Sequence, residues 1–581
     1  MRSRLVPALL CCLAASAALP GAATASVTQE SSFQDDSLIV FSEPAALART
    51  LDKLKGLGVD RLRVSVFWAV VAPDATKQTK PAGFDAADPA AYPKDSWTRY
   101  DTIVRLAQER GLGVNFNVTS PAPFWATGSL KDRPDLDKNF NPDAAEFGAF
   151  VRAVGTRYSG SYVPPSPAPA SEPEPRPLLP SRGGATPRQA GGSAALPRVD
   201  YWTVWNEPNQ PGWLTPQWAD DPRAGKELVE TSPQIYRSLV DQMYSALLST
   251  GHEKDTILVG ETAPKGQERE KGPTRAIKPG RFIRQLYCLD DNLQFFQGTS
   301  AEVRGCPLSD QAARFATDHP GLFKATGYAH HPYELTFAPN KPPTGVDNFT
   351  TGNLNALSDL LRRVYLRYGQ PVPGGQRAVP LYLTEFGYQT SPPDPAGVSF
   401  AKQAAYLNEA EWLTYRNPRV RTLTQFLLVD DKPTPGITNP IEAFGGTFQS
   451  GLMTEQGKVK PAMLAYALPI FLPRRVVTRG RKLRVFGLVR QAANGSAPRV
   501  EVQMRPIKKG SKFKRIKRVK ATADRGYVDT TFTARRPGVL RLVWRSGGKV
   551  MTSRSVSFRV RKPARRARPS SQKKAPQRAR Q

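Results

Sequence analysis

Glu207 stands in YWTVWNEPNQPGW and Glu385 in LYLTEFGYQ. Each follows a short apolar, β-branched run and is followed closely by a residue that breaks it, Pro208 or Gly387. Two acids that face each other from strand ends suit the cleavage of a glycosidic bond. One carboxylic acid protonates the leaving oxygen, and the other carboxylate attacks or assists at the anomeric carbon. A separation of about 5–5.5 Å gives retention of configuration, and a wider one gives inversion. The two must differ in protonation, so one site has to favour the acid and the other the ion.

Facing acids need a scaffold, and the chain supplies one as alternating elements. Short apolar runs predict strands at Leu38–Phe41, Arg61–Val66, Gly113–Val118, Tyr201–Trp205, Thr256–Gly260, Ala325–Ala329, Leu381–Thr384 and Leu423–Val429. Amphipathic stretches between and after them predict helices at Pro44–Leu57, Ser96–Arg110, Pro142–Tyr158, Ser232–Ser249, Arg281–Leu286, Asn353–Tyr368, Ser399–Tyr415 and Pro461–Phe471. Near-continuous apolar strands alternating with helices imply a parallel sheet. Eight such units imply a (β/α)8 TIM barrel, whose chemistry sits at the C-terminal ends of the strands. A doubly wound sheet is the alternative, but no G-x-G-x-x-G follows the first strand. Glu207 and Glu385 then close the fourth and seventh strands and face each other across the mouth.

At these residues the chain resembles clan A of the retaining glycoside hydrolases. Asn206-Glu207-Pro208 is similar to that clan's Asn-Glu-Pro after strand four, and Thr384-Glu385-Phe386-Gly387 to its strand-seven nucleophile segment. The resemblance implies that Glu207 is the general acid/base, Glu385 the nucleophile and Asn206 a ligand of the sugar 2-hydroxyl. Arg63, in RLRVSVFW, matches a strand-two arginine that bonds the nucleophile. His331-Pro332-Tyr333 matches the His-x-Tyr that cellulase-like family 5 enzymes carry after strand six, with Tyr333 touching the nucleophile. The resemblance spans about Phe33 to Phe471 and is closest to family 5. Two departures stand out: Asn117 and Thr119 occupy the place of a histidine after strand three, and Asp430-Asp431 that of a tryptophan after strand eight. Ser120–Ala126, SPAPFWA, looks more like families 39 and 42.

Trp68, Trp125 and Trp213 follow strand ends and are candidate platforms for sugar rings. Of the adjacent histidines, His331 is expected in the cleft and His330 in strand packing. Asp430 and Asp431 could bind hydroxyls or a cation, or form a solvated turn. No metal or cofactor is expected. Asn117-Val118-Thr119 is formally a glycosylation sequon, but it sits at a strand end inside the expected cleft.

Residues 1–25 read as an export signal, with Arg2 and Arg4, an apolar stretch around Leu9–Leu13 and Ala23-Thr24-Ala25 as the cleavage site. No later run reaches the roughly 18 apolar residues of a membrane helix. Cys288 and Cys306 remain after the signal, an even pair expected to form a structural disulfide in an oxidising compartment. A secreted, extracellular protein follows, with residues 26–473 as the catalytic barrel. Gly160–Pro197 carries ten prolines and no hydrophobic period, and reads as a disordered insertion.

The formal net charge of +32 is concentrated at one end. From Arg474 onward there are 34 Lys and Arg against 3 Asp and Glu, while the first 473 residues hold 48 and 47. After Pro473 the apolar period becomes two, as in Leu540-x-Leu542-x-Trp544 and Val556-x-Phe558-x-Val560, which predicts a small antiparallel, Ig-like or fibronectin-like β-sandwich over 474–560. Residues 561–581 read as a basic disordered tail. Lys508–Lys520 lacks the aromatic motif of an RNA reader, so nucleic acid is not the expected partner. Anionic cell-wall polymers are, through salt-sensitive attraction. The catalytic reading is a retaining β-glycoside hydrolase acting on a β-linked poly- or oligosaccharide. The rival is a non-catalytic carbohydrate-binding protein on the same scaffold, which predicts the loss of one glutamate.

Overall fold

The computed structural model describes residues 25–129, 138–165, 195–267, 271–373, 378–492 and 496–563. The export signal (save Ala25), most of the Pro-rich insertion and the last eighteen residues of the tail lie outside the described residues.

Eight parallel strands close on themselves: β1 (Glu30–Gln34), β2 (Arg61–Phe67), β3 (Gly113–Thr119), β4 (Tyr201–Val204), β5 (Thr256–Thr262), β6 (Gly327–His330), β7 (Leu381–Phe386) and β8 (Val420–Phe426). β8 pairs with β1, from Glu30 against Thr422 to Gln34 against Phe426, which completes the ring. The main outer helices are α1 (Pro44–Leu57), α2 (Thr98–Glu109), α3 (Ala144–Arg157), α4 (Ser232–Ser249), α5 (Pro279–Leu286), α6 (Leu354–Arg367), α7 (Phe400–Tyr415) and α8 (Pro461–Ala467). The TIM-barrel expectation is met.

The first strand is not the one expected. Leu38–Phe41 lies in and just after a helical turn, Asp36–Ile39, whose N-cap is the Asp35 carboxylate accepting from the Leu38 N–H at 3.1 Å. The true β1, Glu-Ser-Ser-Phe-Gln, has one apolar residue, because a strand whose inward side chains meet other polar groups needs no apolar run. In β2 the two faces separate cleanly. Leu62, Val64 and Val66 join the core between barrel and helices, while Arg63 is sealed among polar groups inside the barrel.

The C-terminal strands are β9 (Ile470–Phe471), β10 (Val476–Thr478), β11 (Lys482–Leu488), β12 (Arg499–Arg505), β13 (Lys514–Lys520), β14 (Tyr527–Thr533), β15 (Gly538–Ser546), β16 (Lys549–Thr552) and β17 (Val556–Arg561). They form one sheet in the order β9-β11-β14 and a second in the order β10-β17-β15-β12-β13, with β16 on β15. The sandwich is antiparallel except for β10, which runs parallel to β17. Because β9 already pairs with β11, the chain enters the sandwich before Pro473.

The sandwich sits on the N-terminal face of the barrel. Trp412 and Tyr415 of α7 pack against Phe486 and Tyr527. Buried Arg490 pairs with buried Glu411, and Arg525 bonds Asp60 at 2.6 Å. Gly58 ends α1 with a φ of +86°, and a Cβ there would lie 2.1 Å from the Arg490 carbonyl oxygen. Only glycine meets both demands.

Candidate active site

The C-terminal ends of β4, β5, β6 and β7 carry Glu207, Glu261, His331 and Glu385 at or just beyond their last residues. Arg63 of β2 lies beneath them, fully buried. Its guanidinium donates to Glu385 Oε1 at 2.8 Å, to Glu261 Oε2 at 2.5 Å and to Asn206 Oδ1 at 2.6 Å. A planar fork with fixed donor directions can hold three oxygens at once, which a lysine ammonium would not orient.

Glu385 accepts a second bond at Oε2 from the Tyr333 hydroxyl, at 3.0 Å. Burial, the largest influence, leaves its carboxyl above the ordinary range; the His331 and Arg63 cations pull it down, and the facing Glu207 pushes it up again. The two hydrogen bonds from Arg63 and Tyr333 serve the ionised form. Glu207 is the more open of the two acids, with its side chain 19% exposed against 9% for Glu385. One oxygen of Glu207, one of Glu385 and a nitrogen of His331 all lie within 4.8 Å of one another.

The backbone around Glu207 is locked to the next strand. Trp205 and Glu207 have φ of 61° and 37°, a left-handed geometry that costs about 1–3 kcal/mol per residue and persists only when neighbours enforce it. The Glu207 N–H donates to the Glu261 carbonyl at 3.0 Å. Asn209 accepts from the Ala263 N–H at 2.8 Å and donates to the Ile277 carbonyl at 2.9 Å. Asn209 thus helps to fix the backbone that carries the acid and does not merely terminate a strand.

His331 joins the acids. Its Nδ1 is 2.8 Å from Glu207 Oε1 and its Nε2 is 2.7 Å from Glu261 Oε2. Burial alone would lower its pKa, but the charge of Glu385 and the bonds to Glu207 and Glu261 raise it to about 10. His331 is therefore a cation at neutral pH that donates from both nitrogens. His330 points the other way, bonding Thr262 Oγ1 at 2.9 Å and the Phe349 carbonyl at 3.0 Å, and burial lowers it to about 3. It is strand packing, as the sequence suggests.

Glu261 is the member the sequence reading missed. The strand predicted to end at Gly260 runs on to Thr262 and carries Glu261 within it. An acid closing the fifth strand in VGETAP is the same signal that marked Glu207 and Glu385. Burial disfavours its ion, yet Arg63 and His331 hold the carboxyl below the ordinary range. Gly260, at φ +112°, lets the strand turn so that Glu261 enters the barrel.

A cleft of about 330 Å3 opens over these groups, lined by Asn206, Glu207, Trp213, Tyr333, Glu385 and Phe448 among others. Trp213 is where an aromatic platform belongs. Trp68 and Trp125 are not. Trp68 is 0% exposed, stacked on Phe150 at 5.8 Å, because a helical turn at Trp68–Val71 continues straight from β2 and tucks the indole under α3. Trp125 bonds the Pro73 carbonyl at 3.0 Å and packs edge-on against Trp68, outside the cleft lining. Phe426 and Phe448 supply the aromatic wall instead. Asp430 is neither a ligand nor a solvated turn: it is buried, 2.6 Å from Lys460, and accepts from the Gly451 N–H. Asn117 is fully buried and donates to Asn206 Oδ1 at 3.3 Å, so the sequon is closed to a glycan. Cys288 and Cys306 are joined as a disulfide. Among the described residues, no helix is long and apolar enough to cross a membrane.

No protein-family model and no curated protein matches the chain. Solved structures do resemble it. A glucosidase from Croceicoccus marinus is 12% identical with a TM-score of 0.42, over 91% of this chain and 97% of that one. GH5_18 from Streptomyces cattleya in complex with GlcNAc is 14% identical with a TM-score of 0.41, over 79% and 86%. A family 1 β-glucosidase from Thermotoga maritima is 11% identical with a TM-score of 0.38, over 72% and 84%. At these scores the reading of function is left to the site itself.

Proposed function

We propose that the chain is a secreted, retaining β-glycoside hydrolase that cleaves a β-linked poly- or oligosaccharide without a cofactor. The observation that carries this reading is the pair Glu207 and Glu385, with oxygens within 4.8 Å across the mouth of a closed barrel. That spacing is nearer the roughly 5–5.5 Å of direct attack than the wider separation of an inverting enzyme, which supports the retaining reading.

Glu385 attacks the anomeric carbon as the carboxylate, oriented by Arg63 and Tyr333. Glu207 gives its proton to the departing oxygen. Once Glu385 is held as the glycosyl ester, Glu207 serves as the base. It then takes a proton from water, whose oxygen attacks the anomeric carbon and frees Glu385. Asn206 is pinned through Oδ1 by Arg63 and Asn117, which presents the Nδ2 end of its amide as the donor for a sugar hydroxyl. Trp213, Phe426 and Phe448 supply apolar faces for the sugar ring. A β-glucan, xylan or related wall polysaccharide is the substrate class that the clan A resemblance implies. The disulfide at Cys288–Cys306 supports an oxidising, extracellular setting.

The test is a screen of hydrolysis over a β-glycan panel with two variants. Glu385→Gln is expected to lose several orders of magnitude in kcat. Glu207→Ala is expected to lose activity likewise, with partial rescue by azide on an activated aryl glycoside. Near-normal turnover in either variant rejects the proposal.

A further inference from the structure

We infer that the seam between barrel and sandwich is a second binding site, which takes a stretch of acidic polysaccharide. An open groove of about 910 Å3 lies there, lined by Trp412, Arg416, Arg474, Arg481, Lys482 and Arg484 among others. The cations come from three segments: the end of α7, the chain just after Pro473, and the turn and strand around β11. All five are exposed. Among the described residues only Arg484 of these pairs with a carboxylate, Asp529 at 2.7 Å.

Arg416 has a structural reason to be cationic, since it caps the C-terminus of α7, where the helix dipole favours positive charge. Arg474, Arg481 and Lys482 have none: among the described residues they neutralise no buried acid and bond no helix end. Clustered like charges oppose one another, so this arrangement fits a groove that receives an anion.

The cations line an open groove and do not converge on one point, so the ligand they fit carries charges along its length. Guanidinium forks match carboxylates bidentately. A nucleic acid fits less well, because single strands need exposed aromatic faces for their bases. Trp412 is 7% exposed, and the guanidinium carbons of Arg484 and Arg416 lie 4.9 and 5.3 Å from its ring centroid. The indole holds the guanidinium groups and is not offered to a ligand. The groove is on the barrel's N-terminal face, away from the cleft, so its occupant leaves the cleft open. The choice of a polysaccharide over other polyanions rests on the catalytic reading above.

The experiment uses the full chain carrying Glu385→Gln, with and without Arg474→Ala, Arg481→Ala and Lys482→Ala combined. Retention is measured by affinity electrophoresis in polygalacturonate, in neutral dextran and with duplex DNA, at low and at high salt. Polygalacturonate is expected to retard the parent, about tenfold more weakly in the triple variant, with loss of retention at high salt. Dextran is expected to have no effect and DNA a smaller one. Melting temperatures of parent and triple variant are expected to coincide, since the three side chains are exposed. Equal retention of parent and triple variant, equal retention by dextran, or DNA binding as tight as polygalacturonate overturns the inference. Failure of the catalytic reading shows differently, as turnover by the Glu385→Gln chain.

Discussion

Nδ1 of His331 lies 2.8 Å from Oε1 of Glu207, inside a barrel where the imidazole has no access to water. The same ring reaches Glu261 at 2.7 Å, so one buried cation ties the half-buried acid of the cleft to a fully buried one. Its folded pKa of about 10 lies above the unfolded histidine value of about 6.5. The sign follows from linkage: the folded protein holds a proton that the unfolded chain releases first. This contribution to stability is complete below about pH 6.5 and is lost as pH rises to about 10. Melting temperature measured from pH 6 to 10.5 should therefore fall across that window, and His331→Asn should flatten this part of the profile. A parallel fall in the variant rejects the assignment.

Glu261→Gln tests the buried acid. It keeps the shape but removes the charge that Arg63 and His331 both face. Breaking a buried ion pair by losing one partner costs about 3–5 kcal/mol, so the melting temperature should drop. Because the Glu261 carbonyl holds the Glu207 amide, the backbone tie survives in this variant. Turnover should fall through the altered charge on Arg63 and His331, with the effect in kcat and little in KM. A loss confined to KM would place Glu261 in substrate binding instead.

The tryptophans divide by the same kind of measurement. Trp68→Ala removes a fully buried indole and should cost about 3–5 kcal/mol of stability, with KM unchanged at a temperature where the variant is folded. Trp213→Ala should leave stability nearly intact and lower kcat/KM by roughly 0.5–1.5 kcal/mol in free energy, the worth of a ring contact. The reverse pattern would return Trp68 to the cleft.

What the sequence made legible follows from how each residue is held. Glu207 and Glu385 could be found because apolar runs lead into them and strand-breakers follow. Arg63 and Tyr333 could be placed only through the resemblance, since nothing in RLRVSVF says which side faces in. β1 was hidden because its inward residues, Ser32 and Gln34, meet a polar interior, so the apolar run that marks other strands is absent. Glu261 was hidden by a strand boundary two residues too early, and boundaries depend on backbone turns such as Gly260 that leave little trace in composition. Trp68 misled because an aromatic after a strand end is equally a platform or a core residue, and only the helical turn that follows decides.

The sandwich bears on the barrel's stability as well as on binding. Arg490 and Glu411 are both buried, and the Tyr527 hydroxyl lies 3.3 Å from Glu411. Around them Trp412, Tyr415, Phe471, Phe486 and Tyr527 form one apolar cluster drawn from both parts of the chain. Ending the chain at Pro473 would expose Trp412 and Tyr415 and leave Glu411 without its cation. Such a truncation confounds any comparison of polymer binding, which is why surface substitutions are the right probe of the basic groove. The prediction is that Arg490→Ala costs about 3–5 kcal/mol. Replacing Arg490 and Glu411 together by Met and Leu should cost less than Arg490→Ala alone, since no buried charge is then stranded. Denaturant unfolding of the three chains gives the answer, and a double variant weaker than Arg490→Ala would show that the pair itself, not the stranded acid, holds the sandwich to the barrel.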